Sequence, residues 1–118
     1  MNLLLAKLNL EDVATLQLEV DTTVSHKIIS KSSFDQLQVE MLKHGKGKSK
    51  SLPKGVKIKL ADGSIAQQEC PVVQINVSVD LCGLSNSYAL LFLVVKGPNN
   101  LIGRHSLERL LPARISSF

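Results

Sequence analysis

The segment LEVDTTVSHKIIS, Leu18 to Ser30, decides how the rest of the chain is read. Leu16, Leu18 and Val20 alternate with Thr15, Gln17 and Glu19, the period-2 pattern of a strand with one dry face. The run ends on a carboxylate, Asp21. Two threonines come after it, and no glycine eases the backbone into a turn. A carboxylate at the end of an apolar strand either accepts hydrogen bonds from nearby backbone N–H groups or takes part in chemistry, and the surrounding sequence has to separate the two.

Working outward, Leu3–Leu10 and Thr15–Val20 read as two strands joined by a short acidic turn, Glu11-Asp12. The segment VSHKIIS, residues 24–30, reads as a further short strand. Ser33 with Gln36 three residues later resembles a capping box, and Phe34, Leu37 and Met41 share one stripe, so a helix is expected over Ser33–Leu42. The Gly/Lys/Ser/Pro stretch 43–55 has every breaker signal and no apolar period, and is expected to be a solvated basic loop. In 56–69, Val56, Ile58 and Leu60 alternate with lysines before Asp62-Gly63, the signature of a tight hairpin. Val73–Val79 is a further strand, and 81–87 a turn. Tyr88–Val95 is almost continuously apolar, as in a strand covered on both faces. Leu101-Ile102 reads as a short strand, Ser106–Leu111 as a helix stopped by Pro112, and Arg114–Phe118 as a possible last strand. The pattern is all-β with one or two short helices, in a single domain spanning 1–118.

Composition narrows the function classes. The 118 residues carry a formal charge of +4, but five of the 14 basic residues (Lys43, Lys46, Lys48, Lys50 and Lys54) fall within one acid-free stretch. Outside it, acidic residues slightly outnumber basic ones. Lysines without aromatic or arginine partners give only a weak, nonspecific attraction to nucleic acid. Cys70 and Cys82 have neither a CxxC partner nor metal-ligand spacing to His26, His44 or His105, so free thiols and no metal or other cofactor are expected. The sequon Asn76-Val77-Ser78 lies inside an alternating strand. The start MNLLLAKLNL is too interrupted for a secretory core, and YALLFLVV is too short to span a bilayer. The expectation is a soluble intracellular protein of the cytoplasm or nucleus, with no membrane contact. Ser25-His26 does not make a hydrolase pair, because adjacent strand residues face opposite ways.

Taken in order, the apolar strand into Asp21-Thr22, the Asp-Gly hairpin, and LIGRHSL before a short helix resemble the retropepsin-like aspartic proteases of retroviruses and gypsy-type retrotransposons. The segments KIIS…FDQL and VVKGPNNLIGRHSL add to the likeness, which spans about Leu4 to Leu111. The resemblance implies a homodimeric closed β-barrel or sandwich with a flap hairpin over 56–69. It implies catalysis by a water held between two carboxylates sharing one proton, since two close like charges cannot both ionise. With one Asp-Thr triplet per chain, Asp21 of each of two chains would form the dyad. The apolar terminal segments LLLAKL and ARISSF also offer strand edges for pairing. By the same resemblance Thr22 pins the two Asp loops. Val24, Ala61, Asp62, Gly63, Ser64 and Ile65 line a peptide groove, and Gly103 and Arg104 close the core beneath the Asp loop.

The sequence departs from the family pattern at three places: Thr23 replaces the triplet glycine, Val24 replaces a small residue, and His105 comes after Gly-Arg. A β-branched Thr23 in a left-handed or strained backbone would cost about 1–2 kcal/mol per chain and crowd the water site. The resemblance with these departures implies a retroelement-derived, catalytically impaired module for dimerisation or for binding protein or peptide. The competing expectation is a working aspartic endopeptidase.

Overall fold

A computed structural model describes residues 5–21, 26–57, 63–65, 69–81 and 84–110. Strands β1 (Leu5–Leu10), β2 (Ala14–Asp21), β3 (Lys27–Ser30), β4 (Lys50–Ser51), β5 (Val72–Leu81), β6 (Leu84–Val95) and β7 (Leu101–Gly103) are accompanied by helices α1 (Lys31–Lys43) and α2 (Arg104–Leu110). The ladder runs β1-β2-β7-β3-β6-β5-β4, and a further β1–β5 pairing closes six of these strands into a barrel. One edge of β5 is shared along its length. Its start pairs with β4 through Gln74 and Val73, and its later part meets β1 through Val77 and Ser78.

Alternation builds the barrel core. Leu8 and Leu10 of β1 point inward with Leu16 and Leu18 of β2, and Leu8 lies directly opposite Leu16. Val73, Ile75 and Val77 of β5, with Phe92 of β6, complete the packed interior. Each such side chain contributes about 1.5–3 kcal/mol on leaving water. Leu37 and Met41 of α1 and Leu110 of α2 add helix faces to the same cluster.

The acidic turn between β1 and β2 is more than a connector. Glu11 and Asp12 adopt φ of 55° and 58°, and the Val13 N–H donates to the Leu10 carbonyl at 3.1 Å. Two positive φ values give the mirror-image turn that matches strand twist, but neither residue is glycine. Glu11 offsets that strain through Asn76 of β5. Its N–H donates to the Asn76 carbonyl at 2.7 Å, and its carboxylate accepts from the Asn76 N–H at 3.1 Å and from Nδ2 at 3.0 Å. The hairpin is thereby fastened to β5 just beyond the Leu10–Val77 pair, where the barrel closes. One N–H of the sequon asparagine's amide is used in this contact.

Helix α1 begins two residues before the expected Ser33. Ser30 is the N-cap, and its Oγ accepts from the Ser33 N–H at 3.2 Å, so Ser33 lies within the first turn rather than capping it. The local sequence Ser30-Lys31-Ser32-Ser33 offers three capping hydroxyls, and the end of β3 selects the first. Asn100 ties this cap to the start of β7. Its Oδ1 accepts from the Ser30 N–H at 2.7 Å, its Nδ2 donates to Ser33 Oγ at 3.2 Å, and its carbonyl accepts from the Glu19 N–H at 2.9 Å. At the other end, Gly45 at φ 72° donates to the Leu42 carbonyl at 3.1 Å, and the Lys46 N–H donates to the Met41 carbonyl at 2.8 Å. This pair of bonds is a Schellman stop, which requires a left-handed residue where the glycine stands.

Other expectations also shift. The basic stretch 43–55 is not a free connector: it opens in the last residue of α1 and contains β4. Ser49 is held by Gln38, its N–H donating to Oε1 and its Oγ accepting from Nε2, both at 2.9 Å. The turn expected over 81–87 is shorter, since β6 already starts at Leu84, paired with Leu81. Among the residues of β6 whose burial is described, only Phe92–Val94 are buried; Leu91 is 46% exposed. Helix α2 starts directly after β7, two residues earlier than expected. The edge of β1 is occupied by β5 at Asn9 and Leu10. The expected terminal strand 114–118 lies outside the described residues.

Candidate active site at the end of strand β2

Three non-adjacent segments meet around Asp21. Strand β7 lies between β2 and β3, parallel to the first and antiparallel to the second. In register, Val20 pairs with Ile102 and Asp21 with Gly103, while Lys27 on the far side pairs with Ile102. Strands β2 and β3 are therefore two ladder steps, about 10 Å, apart. The chain leaves β2 at Asp21 and enters β3 at Lys27, and both points are held on β7. The Gly103 N–H donates to the His26 carbonyl at 3.3 Å, which fixes the entry to β3. This crossing places the Asp21 end of an apolar strand beside the start of α2.

Asp21 is partly buried, Gly103 is buried, and Arg104, the first residue of α2, is exposed. Thr22, Thr23 and Val24 lie outside the described residues, as do Ala61 and Asp62. Of the expected groove residues, Gly63, Ser64 and Ile65 are described. Gly63 has φ 90°, the left-handed region the Asp-Gly reading requires, and Ile65 is 64% exposed. The base of the 56–69 segment is closed by a two-bond bridge: the Val56 N–H donates to the Cys70 carbonyl at 3.0 Å, and the Cys70 N–H donates to the Val56 carbonyl at 2.7 Å. Gly55 sits immediately before that bridge. A Cβ there would approach the Cys70 carbonyl oxygen to 2.6 Å, so only glycine fits without movement.

Sequence reasoning missed Lys27 and Gly55. Lys27 is half-buried, and loss of hydration, reinforced by the Arg109 guanidinium, holds its ammonium below the usual lysine range. Its only sequence signal is a lysine directly before the apolar pair Ile28-Ile29. Burial also pushes the Cys70 thiol up. Among the described residues, no group of His, Cys, Asp and Glu is placed to hold a metal ion, and no helix is long and apolar enough to cross a membrane.

No protein-family model matches the chain, and no curated protein matches it. Among solved structures it is similar to the EIAV protease complexed with the inhibitor HBY-793. The likeness has a TM-score of 0.67 at 16% identity and covers 92% of this chain and 88% of that one. At that identity the likeness concerns architecture, and the fold is retropepsin-like.

Proposed function

We propose that two copies of this chain form a retropepsin-like homodimer, derived from a retroelement, that is catalytically impaired and serves as a dimerisation or peptide-binding module. The observation that carries this reading is Asp21, at the exit of β2 and paired with Gly103 in β7, with Thr23 and Val24 close behind it in sequence. A two-carboxylate mechanism needs a second aspartate, which a twofold-related copy supplies. The dyad would share a proton and activate a water between its members. Side chains at Thr23 and Val24 occupy positions where the resembling family keeps a glycine and a small residue, and this supports impairment rather than turnover.

The second reading, an active aspartic endopeptidase, is favoured by the retained Asp21-Thr22 pair and by the β2–β7 frame that carries it. Peptide-library cleavage by the wild type and Asp21→Asn across acidic to neutral pH separates the two. Absence of Asp21-dependent cleavage, together with a dimer in sedimentation, supports the module. Robust cleavage that disappears in Asp21→Asn replaces it with the protease.

A further inference from the structure

The structured basic stretch builds a pocket away from Asp21. Lys46 and Lys48 precede β4 and Lys50 is its first residue, so the three lysines stand two residues apart along the chain. All three line a cavity of about 480 Å³ between the end of α1, this stretch and β5. Gln74 and Asn76, also two residues apart, form the opposite wall, and Lys50 lies directly across from Gln74 in the ladder.

The walls are held in place. Lys46 Nζ donates to the Glu11 backbone carbonyl, and the Gln38–Ser49 pair of bonds fixes the middle of the stretch against α1. Among the described residues, Glu11 is the only acid lining the pocket. Its carboxylate is buried and already accepts two bonds from Asn76, so it does not reach the outer lysines as a counter-ion. Gly47 between the lysines is exposed, and a Cβ there would meet nothing within 4 Å. Among the described residues, no aromatic side chain lines the cavity. The site therefore has concentrated positive charge and amide groups but no surface on which a base could stack.

We infer that this pocket binds a short run of phosphates through Lys46, Lys48 and Lys50, reading charge and not sequence. Free oligophosphate and the backbone of a single-stranded nucleic acid present the same chemistry. The site is independent of any reaction at Asp21.

The test is calorimetric titration of the full chain with inorganic tripolyphosphate at low salt, alongside two charge-matched variants. Lys48→Gln/Lys50→Gln removes two exposed lysines of the pocket, and Lys54→Gln/Lys96→Gln removes two exposed lysines outside it. Saturable binding by the wild type and the control, weakened about tenfold or more in the pocket variant, is expected. Thermal unfolding of each variant confirms that the fold is kept. For a labelled oligothymidylate, the logarithm of affinity should fall against the logarithm of salt with a slope of about −2, shrinking by more than 1 in the pocket variant. Displacement of that oligonucleotide by tripolyphosphate would identify the backbone as a ligand source. Tripolyphosphate binding without oligonucleotide binding would restrict the site to free oligophosphates. Absence of saturable tripolyphosphate binding, or equal losses in both variants, overturns the inference.

Discussion

Asp21 and Gly103 stand opposite each other in the parallel ladder between β2 and β7, 82 residues apart in sequence. The pair brings the end of an apolar strand to the residue from which α2 departs. Gly103 already gives Asp21 a neighbour with the smallest side chain there is. In the proposed function, Thr22 to Val24, the residues that come next in sequence, are therefore the ones to vary.

If crowding by Thr23 and Val24 is what impairs catalysis, Thr23→Gly, alone or with Val24→Ala, should restore slow peptide cleavage. The activity should peak below neutrality, where two coupled carboxylates hold one proton between them, and should vanish when Asp21→Asn is added. Cleavage of a peptide library, monitored by mass spectrometry, measures this. Restored activity that survives Asp21→Asn would show that the reaction is not the two-carboxylate mechanism.

The chain should sediment as a dimer of twice its 12.9 kDa mass. The motivation is one Asp-Thr triplet per chain in a retropepsin-like fold. A monomer at concentrations on the order of tens of micromolar, above what a specific interface needs, would count against the proposed function as a whole.

The β1–β2 turn should respond in opposite directions at its two central residues. Asp12→Gly relieves a positive φ and makes no use of the Asn76 contact, so it should raise stability by up to about 1 kcal/mol. Glu11→Gly relieves a similar φ but removes both carboxylate bonds to Asn76, and should lower stability by about 1–3 kcal/mol. Denaturant unfolding distinguishes them. Equal effects would mean that the Glu11–Asn76 contact contributes nothing.

Gly55→Ala should loosen the Val56–Cys70 bridge, because the new methyl meets a backbone oxygen that cannot simply rotate away. Amide exchange at Val56 and Cys70 should quicken while that of β6 stays unchanged. In the wild type the same bridge should already exchange faster than Phe92–Val94, which are buried in a long ladder. Slower exchange at the bridge than in β6 would mean that this isolated two-bond contact is as stable as the long ladder.

Lys27 sets a pH dependence. A lysine held below its unfolded value of 10.5 penalises the folded state fully at pH below its folded pKa. The penalty disappears as pH rises from that folded value through 10.5. Stability of the wild type relative to Lys27→Met should therefore increase with pH over that window. The raised thiol of Cys70 acts with the opposite sign nearby, so the difference between the two proteins is the informative quantity. A flat difference would mean that burial does not hold the Lys27 ammonium below its ordinary value.

Local sequence patterns were enough for most of the elements, though not for β4, which lies in a stretch that reads as a loop. Period-2 runs gave β2 and β5, the Phe34/Leu37/Met41 stripe gave α1, and Gly63 has the positive φ that its place in an Asp-Gly pair suggests. These are local signals, carried by neighbouring side chains and by the backbone freedom of single residues. Ser33 was mistaken for a cap because three hydroxyls compete locally, and the choice of Ser30 rests on where β3 ends and on Asn100, 70 residues away. Only the tertiary structure put β7 between β2 and β3, fastened Glu11 to Asn76 across 65 residues, and turned an apparently free lysine loop into the wall of a cavity. Such pairings join backbone groups that every residue possesses. A local pattern cannot say which distant strand will meet them, and the choice is made by burying all the apolar faces at once inside a closed barrel.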